Sequence, residues 1–125
     1  MRRGLLAAAL MAMVASVVPA AAQDAVKADP KHYKVVFEND QVRVLRVTYN
    51  PGETSVMHAH PASVAVFLTD VRGRFTMPDG TKQDLTVKGG TTQWEPGGTH
   101  MPENLGDKPF ELVLVELKAK APGTR

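Results

Sequence analysis

From residue 33 onward, short apolar runs alternate with polar residues and are separated by turn residues such as Gly, Pro, Asn and Asp. Alternation with a period of two is typical of a β-strand, and closely spaced turns are typical of antiparallel sheets. No window shows a helical period of useful length. We therefore expect an all-β domain, either a sandwich or a barrel. Its eight or nine predicted strands are 33–38, 41–49, 58–60, 64–69, 73–77, 82–88, 91–95, 99–101 and 109–118.

Three features refine this pattern. The Asp79-Gly80 pair predicts a hairpin, because Asp-Gly suits turns that need positive φ. The apolar residues of strand 41–49 change face at Val44 and Leu45, which predicts a β-bulge there. The last strand is apolar on both faces, so we expect it to be buried on both, either between layers or at a subunit contact. The second possibility predicts a homodimer.

Residues 1–22 have the pattern of a cleaved signal peptide. Arg2 and Arg3 precede an apolar stretch over 4–18, and the small residues of 19–22 offer a cleavage site. The alternative is a single membrane anchor, but about 15 apolar residues are short for a bilayer crossing that needs roughly 20. We predict a Sec-type rather than a twin-arginine signal, and a periplasmic or secreted protein that is free of the membrane after cleavage.

The remaining chain divides into three parts. Residues 23–32 are polar and contain Pro30, so we expect a flexible leader with His32 on the surface. Residues 33–119 form the single domain, and 120–125 form a C-terminal tail.

Charge and cysteine content exclude several classes of function. Removing Arg2 and Arg3 from the 15 basic residues leaves 13 against 13 acidic ones, and no block of Lys or Arg remains. We therefore expect no binding to nucleic acid or to an anionic membrane. The chain has no cysteine, which excludes disulfides and thiolate metal ligands.

Three histidines are the candidate chemistry. His58 and His60 are two residues apart on one predicted strand and therefore share a face, as two imidazole ligands of one metal ion would. His100 follows a second Pro-Gly turn. A His-X-His pair alone is a weak signal, since a lone histidine in a strand is usually not a ligand. The third histidine strengthens the prediction.

These residues resemble the two sequence motifs of the cupin family, and the resemblance spans about 41–117. The matching residues are Gly52, His58 and His60 in the first motif, and Gly90, Pro96, Gly97, His100 and Asn104 in the second. The resemblance implies a double-stranded β-helix, which is a jelly-roll barrel, with a divalent metal held near its mouth by His58, His60 and His100.

One departure from the family pattern bears on the metal. The first motif normally carries a glutamate ligand at the positions of Val64 or Ala65, and its closing glycine, Gly73, comes late. Three neutral imidazoles leave the charge of the ion uncompensated, which favours hydroxide or an anionic, chelating substrate. Such a site suits Fe, Zn, Ni, Cu or Mn. Glu95 or Glu103 could complete the ligand set, and a cupin that has lost its metal remains the alternative.

The candidate pocket residues follow from strand alternation, in which every second side chain lies on the same face as His58 and His60. Continuing that parity directs Val64 and Val66 into the barrel, if Pro61 does not shift the phase. Trp94 and Met101 are further pocket candidates, and Trp94 could stack on a ring substrate. Asn104 is expected to orient the turn or His100 by hydrogen bonding. Phe75 and Met77 are further candidates for the mouth of the pocket.

Two functions remain open. The first is a metal-dependent, dioxygenase-like enzyme that acts on a small chelating or anionic molecule. The second is a non-catalytic module that binds a small molecule or a metal. No His, Asp or Glu has the spacing of a general base near the ligands, which weakens hydrolase and isomerase functions more than oxygenase functions. The sequence assigns no catalytic residue.

Overall fold

The computed structural model describes residues 23–119, and the predictions for 1–22 and 120–125 lie outside this range. Nine strands in the described range confirm the all-β prediction. The elements are α1 (Ala25–Ala28), β1 (Tyr33–Glu38), β2 (Val42–Tyr49), β3 (His58–His60), β4 (Ser63–Phe67), β5 (Val71–Thr76), β6 (Lys82–Val87), β7 (Thr92–Glu95), β8 (Gly98–Asn104) and β9 (Phe110–Leu117). Between residues 23 and 119, no helix is long and apolar enough to cross a membrane.

The strands form two antiparallel sheets. One has the order β1-β2-β9-β4-β7 and the other has the order β3-β8-β5-β6. Several sequential neighbours therefore lie in different sheets, as in a jelly-roll barrel. The predicted hairpin is present between β5 and β6, where Gly80 has a φ of +86°.

The core lies between the inner faces of the two sheets. Leu45 and Val47 of β2 and Phe110 and Leu114 of β9 are buried there. Full burial of a large apolar side chain stabilises a fold by roughly 1.5–3 kcal/mol. The inner face of the five-stranded sheet is therefore the main source of stability around the site.

The irregularity predicted at Val44 and Leu45 is present in the β1–β2 pairing, where these residues pair with Phe37 and Val35, but the extra residue is on β1. With β9, β2 pairs without interruption over its whole length. The register shift lies on the neighbouring strand β1, between Val35 and Phe37. The change of face in the sequence has a simpler cause. Val44 belongs to an outer face that is itself apolar, so both faces of β2 carry hydrophobic residues.

The outer face of the five-stranded sheet carries a row of apolar side chains, one from each strand and directly paired. The row is Phe37, Val44, Val115, Val64 and Trp94. The described chain leaves Phe37 and Trp94 more than half exposed and the three valines half-buried. The last strand is therefore apolar on both faces as predicted, but this chain by itself buries only the inner one.

The expected position of His32 at the surface is wrong. Ala25 is fully buried, and His32 is only 5% exposed. The polar residues of this segment find charged or polar partners on the barrel, since Asp24 pairs with Arg43 and Asp29 accepts a hydrogen bond from Ser55. Composition alone suggests a solvated leader because it does not reveal these long-range partners.

Candidate metal centre

The pairing of β3 with β8, and the glycine turn before β8, bring the three histidines together. His58 and His60 lie on the inward face of β3, and His100 on β8 is the direct cross-strand partner of His58. The turn before β8 requires glycine at Gly97, where φ is +88° and a Cβ would lie 2.9 Å from the backbone nitrogen of Ala62. The tight contact between this turn and the start of β4 fixes the position of β8 beside β3.

The three imidazoles form a compact cluster. Their potential ligand atoms all lie within 4.8 Å of one another, and Nε2 of His58 is 2.9 Å from Nε2 of His60. Ring centroids are 4.7 to 5.2 Å apart, and the planes are close to perpendicular. His58 is fully buried, whereas His60 and His100 are half-buried. The structure thus places all three predicted residues at one point.

His58 is oriented from behind by the backbone. Its Nδ1 lies 2.9 Å from the carbonyl oxygen of Val56, which can only accept, so Nδ1 carries the proton and donates. The hydroxyl of Ser55 lies 3.2 Å from the same nitrogen and donates to Asp29 at 2.6 Å. Nε2 of His58 is therefore unprotonated and directed into the cluster.

His60 is oriented by a buried carboxylate. Its Nδ1 lies 3.0 Å from Oε2 of Glu116, a residue only 1% exposed. Nε of Arg43 donates to the other carboxylate oxygen at 2.7 Å, and Arg43 also pairs with Asp24. Hydrogen bonding to Asp24, together with Glu116, raises the pKa of Arg43, which therefore stays charged. Because an ionised carboxylate only accepts, Nδ1 of His60 carries the proton and its Nε2 is also free.

Electrostatics keep His58 and His100 neutral. Burial, and then repulsion from His60, lowers the pKa of His58 to about 4. Burial, and then repulsion from His60 and His58, lowers the pKa of His100 to about 3. Both rings are therefore neutral at pH 7, which is the form that binds metals.

The donor set fits a divalent metal. Nε2 of His58 lies 2.9 Å from Nε2 of His60. With both Nδ1 atoms protonated, the two lone pairs repel unless a proton or a cation lies between them. Nε2 of His100 is buried and has no hydrogen-bond partner within residues 23–119. A cation shared by the three nitrogens would relieve both the lone-pair repulsion and the cost of the unpaired buried nitrogen.

Two pockets adjoin the cluster. A cavity of about 70 Å³ inside the barrel contacts His60 and His100 and is almost wholly apolar, with Ala65, Phe67 and Phe75 among its lining residues. A second pocket of about 90 Å³ touches the same two histidines and is lined also by Met77 and residues 97–99. The histidines therefore stand between an apolar interior and a more polar opening.

Comparisons with known proteins agree with this geometry. A family model described as a cupin domain matches residues 45–116, which is more than half of the chain. The chain is a cupin. Its structure is similar to a cupin domain from Bordetella pertussis Tohama I, with 27% identity and a TM-score of 0.65, covering 70% of this chain and 92% of that one. The resemblance inferred from the two motifs is confirmed.

Two more distant structures share the fold. An RmlC-like cupin from Methanocaldococcus jannaschii is 15% identical, with a TM-score of 0.55 and coverage of 68% of this chain and 77% of that one. An uncharacterised double-stranded β-helix protein from Klebsiella pneumoniae is 23% identical, with a TM-score of 0.55 and coverage of 73% and 76%. No curated protein matches the sequence.

The predicted lining of this cupin's pocket needs correction. Val64, Val66 and Trp94 lie on the outer face of the five-stranded sheet, and Trp94 is 56% exposed. The residues between β3 and β4 shift the phase, so that Ala65 rather than Val64 faces inward. Met101 alternates with His100 on β8 and points to the other face. None of the four lines either pocket at the cluster.

The phase shift also locates the position of the missing glutamate. Of the two candidates, only Ala65 is buried and lines the cavity beside His60. Of the two positions at which the motif resemblance places a glutamate, the inward one therefore carries a methyl group. Glu95 and Glu103 line that cavity as well, but neither belongs to the cluster of ligand atoms.

Asn104 has one of its two expected roles. It is 1% exposed, and its side-chain amide donates to the carbonyl oxygens of Tyr49 and Lys108. Its side-chain oxygen accepts from the backbone N–H of Gly106. Asn104 thus orients the turn before β9, and none of these bonds involves His100.

The sequence reasoning missed Glu116 and Arg43, although a signal was present. The inward parity of Phe110, Leu112 and Leu114 continues directly to Glu116. Arg43 is its cross-strand partner and shares the inward parity of β2. A charged residue at an inward position of a core strand usually has a buried partner. Two such residues in register therefore indicate a buried polar network.

Proposed function

We propose that this cupin binds one divalent transition-metal ion through His58, His60 and His100. The observation that carries the proposal is the 2.9 Å separation between Nε2 of His58 and Nε2 of His60, beside a buried nitrogen of His100 that has no hydrogen-bond partner in residues 23–119. Imidazole is a borderline ligand, so Fe, Zn, Ni, Cu and Mn all suit the site. When bound, the ion supplies Lewis acidity and lowers the pKa of a bound water.

The residues around the cluster define the class of ligand. Three neutral histidines contribute no negative charge, which favours an anionic or chelating molecule at the ion. Ala65, Phe67 and Phe75 make the inner wall apolar and exclude water from that side. Substrates with a small apolar body and an anionic, chelating head match both features.

Within this proposal, the enzyme is a dioxygenase-like oxidoreductase. Support comes from the cavity, whose apolar wall suits chemistry in which water must be kept away. The alternative is a non-catalytic module that holds the same ion and ligand. Metal content does not separate the two, but oxygen uptake that depends on substrate does.

Elemental analysis of the protein, purified without added metal, tests the first step. We expect about one transition metal per chain, and its loss in the double variant His58→Ala/His100→Ala. His32→Gln is the matched control, because it removes the fourth histidine, which is also buried but lies outside the cluster. Absence of stoichiometric metal from the wild type, before and after Zn²⁺ or Fe²⁺ loading, would end the proposal.

Oxygen-electrode screening of the loaded protein then separates enzyme from binding module. A panel of small carboxylates, diketones and catechols covers anionic and chelating ligands. Turnover that disappears in the His58→Ala/His100→Ala variant supports the enzyme. Binding shifts in the metal's spectrum without turnover favour the module.

We also propose that the protein is exported, with residues 1–22 as a Sec-type signal peptide, and acts in the periplasm or outside the cell. The charged start, apolar stretch and small-residue end of that segment support this localisation. N-terminal sequencing of the protein from a periplasmic extract should begin near Gln23. A chain that keeps Met1 and stays in the cytoplasm would contradict it.

A homodimer is the proposed assembly. The apolar row from Phe37 to Trp94 crosses all five strands of one sheet and lies largely outside the core. An identical face on a second copy would cover it with a self-complementary contact about a two-fold axis. No partner of nucleic acid or membrane is proposed, in keeping with the balanced charge.

A further inference from the structure

We propose that Glu116 is a positioning residue of the metal centre, and that it supplies from the last strand the negative charge that the first motif lacks. The inference rests on the proposed metal-binding function. It goes beyond the three ligands, because it concerns which nitrogen of His60 is offered to the ion and how the ion's charge is balanced.

The geometry clamps the Glu116 carboxylate in one orientation. Oε2 accepts from Nδ1 of His60 at 3.0 Å, and Oε1 accepts from Nε of Arg43 at 2.7 Å. Each oxygen therefore has its own donor. Arg43 is held in turn by Asp24, and Glu116 faces Ser63 across the β4–β9 pairing. A side chain that is 1% exposed and bonded at both oxygens has little freedom to rotate.

This clamp determines the tautomer of His60. An ionised carboxylate can only accept, so the proton stays on Nδ1 and the lone pair of Nε2 faces His58. Without the carboxylate, the proton could move to Nε2 and block the ligand position. Carboxylates that accept from metal-bound histidines commonly contribute 10–100-fold to metal affinity.

The same network contributes charge. Asp24 and Glu116 are two carboxylates around one guanidinium, that of Arg43, so the group has one net negative charge. A glutamate at the inward motif position would bring one negative charge directly onto the ion, but that position is Ala65. Here the compensating charge lies one layer behind His60, and the ligand position itself is left open.

A purely structural role makes a different prediction. If Glu116 only stabilised the barrel through Arg43, its loss would lower stability and leave the tautomer of His60 unchanged. Glu116→Gln separates the two roles, because an amide cannot accept at both ends. Arg43 is a cation that can only donate, so the amide oxygen of the substituted side chain faces Arg43 and its NH₂ group faces Nδ1 of His60, which must then accept and lose its proton to Nε2.

The experiment uses two readouts on the full-length mature protein. Imidazole ¹⁵N NMR of the metal-free protein reports the tautomer of His60, and competition with a chelator measures Zn²⁺ affinity. For Glu116→Gln, we expect loss of the pure Nδ1–H signature and a 10–100-fold weaker affinity. Glu111→Gln is the matched control, since it removes a carboxylate of the same strand from an exposed Arg46 pair.

Glu116→Asp provides the second variant and keeps the charge. The side chain is one methylene shorter. The long side chain of Arg43 can follow the carboxylate, but the ring of His60 is held on β3 and cannot, so Zn²⁺ affinity should again fall. Wild-type affinity in Glu116→Asp and Glu116→Gln, or an equal loss in Glu111→Gln, would overturn the inference. A wild-type protein that does not bind Zn²⁺ would refute the metal function. Independently of metal, an Nδ1–H signature of His60 that is unchanged in Glu116→Gln would refute the positioning role.

Discussion

Acid should destabilise the metal-free protein before its carboxylates titrate, through His58 and His100. Their pKa values are lowered to about 4 and about 3, by burial first and then by neighbouring imidazoles. In the unfolded chain both return to the usual value of about 6.5. Between these values the unfolded state binds protons that the folded state does not, so stability falls as the pH falls from 6.5 towards 4.

The magnitude follows from proton linkage. Two histidines that bind protons only when unfolded give a slope of up to about 2.7 kcal/mol per pH unit. Between pH 7.5 and 5 the loss sums to about 4 kcal/mol. Since domains of this size are stable by about 5–15 kcal/mol, much of the fold's stability is at stake. Most carboxylates titrate below this window, because their unfolded pKa values lie near 4.

Urea unfolding with a chelator present, at pH 7.5, 6.5, 5.5 and 5.0, measures this slope. The control is His100→Leu, which removes one of the two groups and should reduce the slope by about 1.4 kcal/mol per pH unit. The absolute stability of the variant is irrelevant, because only the pH dependence is compared. Stability that stays flat from pH 7.5 to 5, or a full slope in His100→Leu, would refute the linkage.

Two further predictions concern the faces of the five-stranded sheet. Ala65→Glu should tighten Zn²⁺ retention, because Ala65 points into the cavity beside His60, whereas Val64→Glu should leave Zn²⁺ retention unchanged. A tighter Val64→Glu site in the same chelator competition would mean that β4 has the opposite register. Val115→Arg should convert the proposed dimer to a monomer at micromolar concentration in sedimentation velocity, since Val115 is central in the apolar row. A monomeric wild type would contradict the dimer.

The cluster itself was predictable because it depends on local information. His58 and His60 share a face by strand parity alone, and the Pro-Gly turn before His100 is written in the sequence. The direct pairing of His58 with His100 needed one more fact, the adjacency of β3 and β8, which the motif spacing of the family supplied. Local pattern and family spacing together therefore reached the three residues.

The wrong predictions arise where an alternation pattern is continued from one strand into the next. Parity carries along one strand, but Pro61 and Ala62 separate β3 from β4 and reset it, so the inward residue is Ala65 and not Val64. His32 was misplaced for a related reason, since its burial depends on Asp29 and on stacking against Tyr49. The stacking on Tyr49 joins distant segments, and period and composition carry no record of it.

Glu116 connects these observations to the chemistry. A carboxylate on the ion would neutralise part of its charge and occupy one ligand position. In this barrel Ala65 leaves that position to the cavity, while Glu116 lies behind His60 and acts through the ring. The ion would keep more of its Lewis acidity and one more open position, yet the buried network would still carry a net negative charge. An arrangement of this kind would favour ligands that bring their own anionic donors, and it is the physical basis on which we propose a metal site with Ala65 at the inward position.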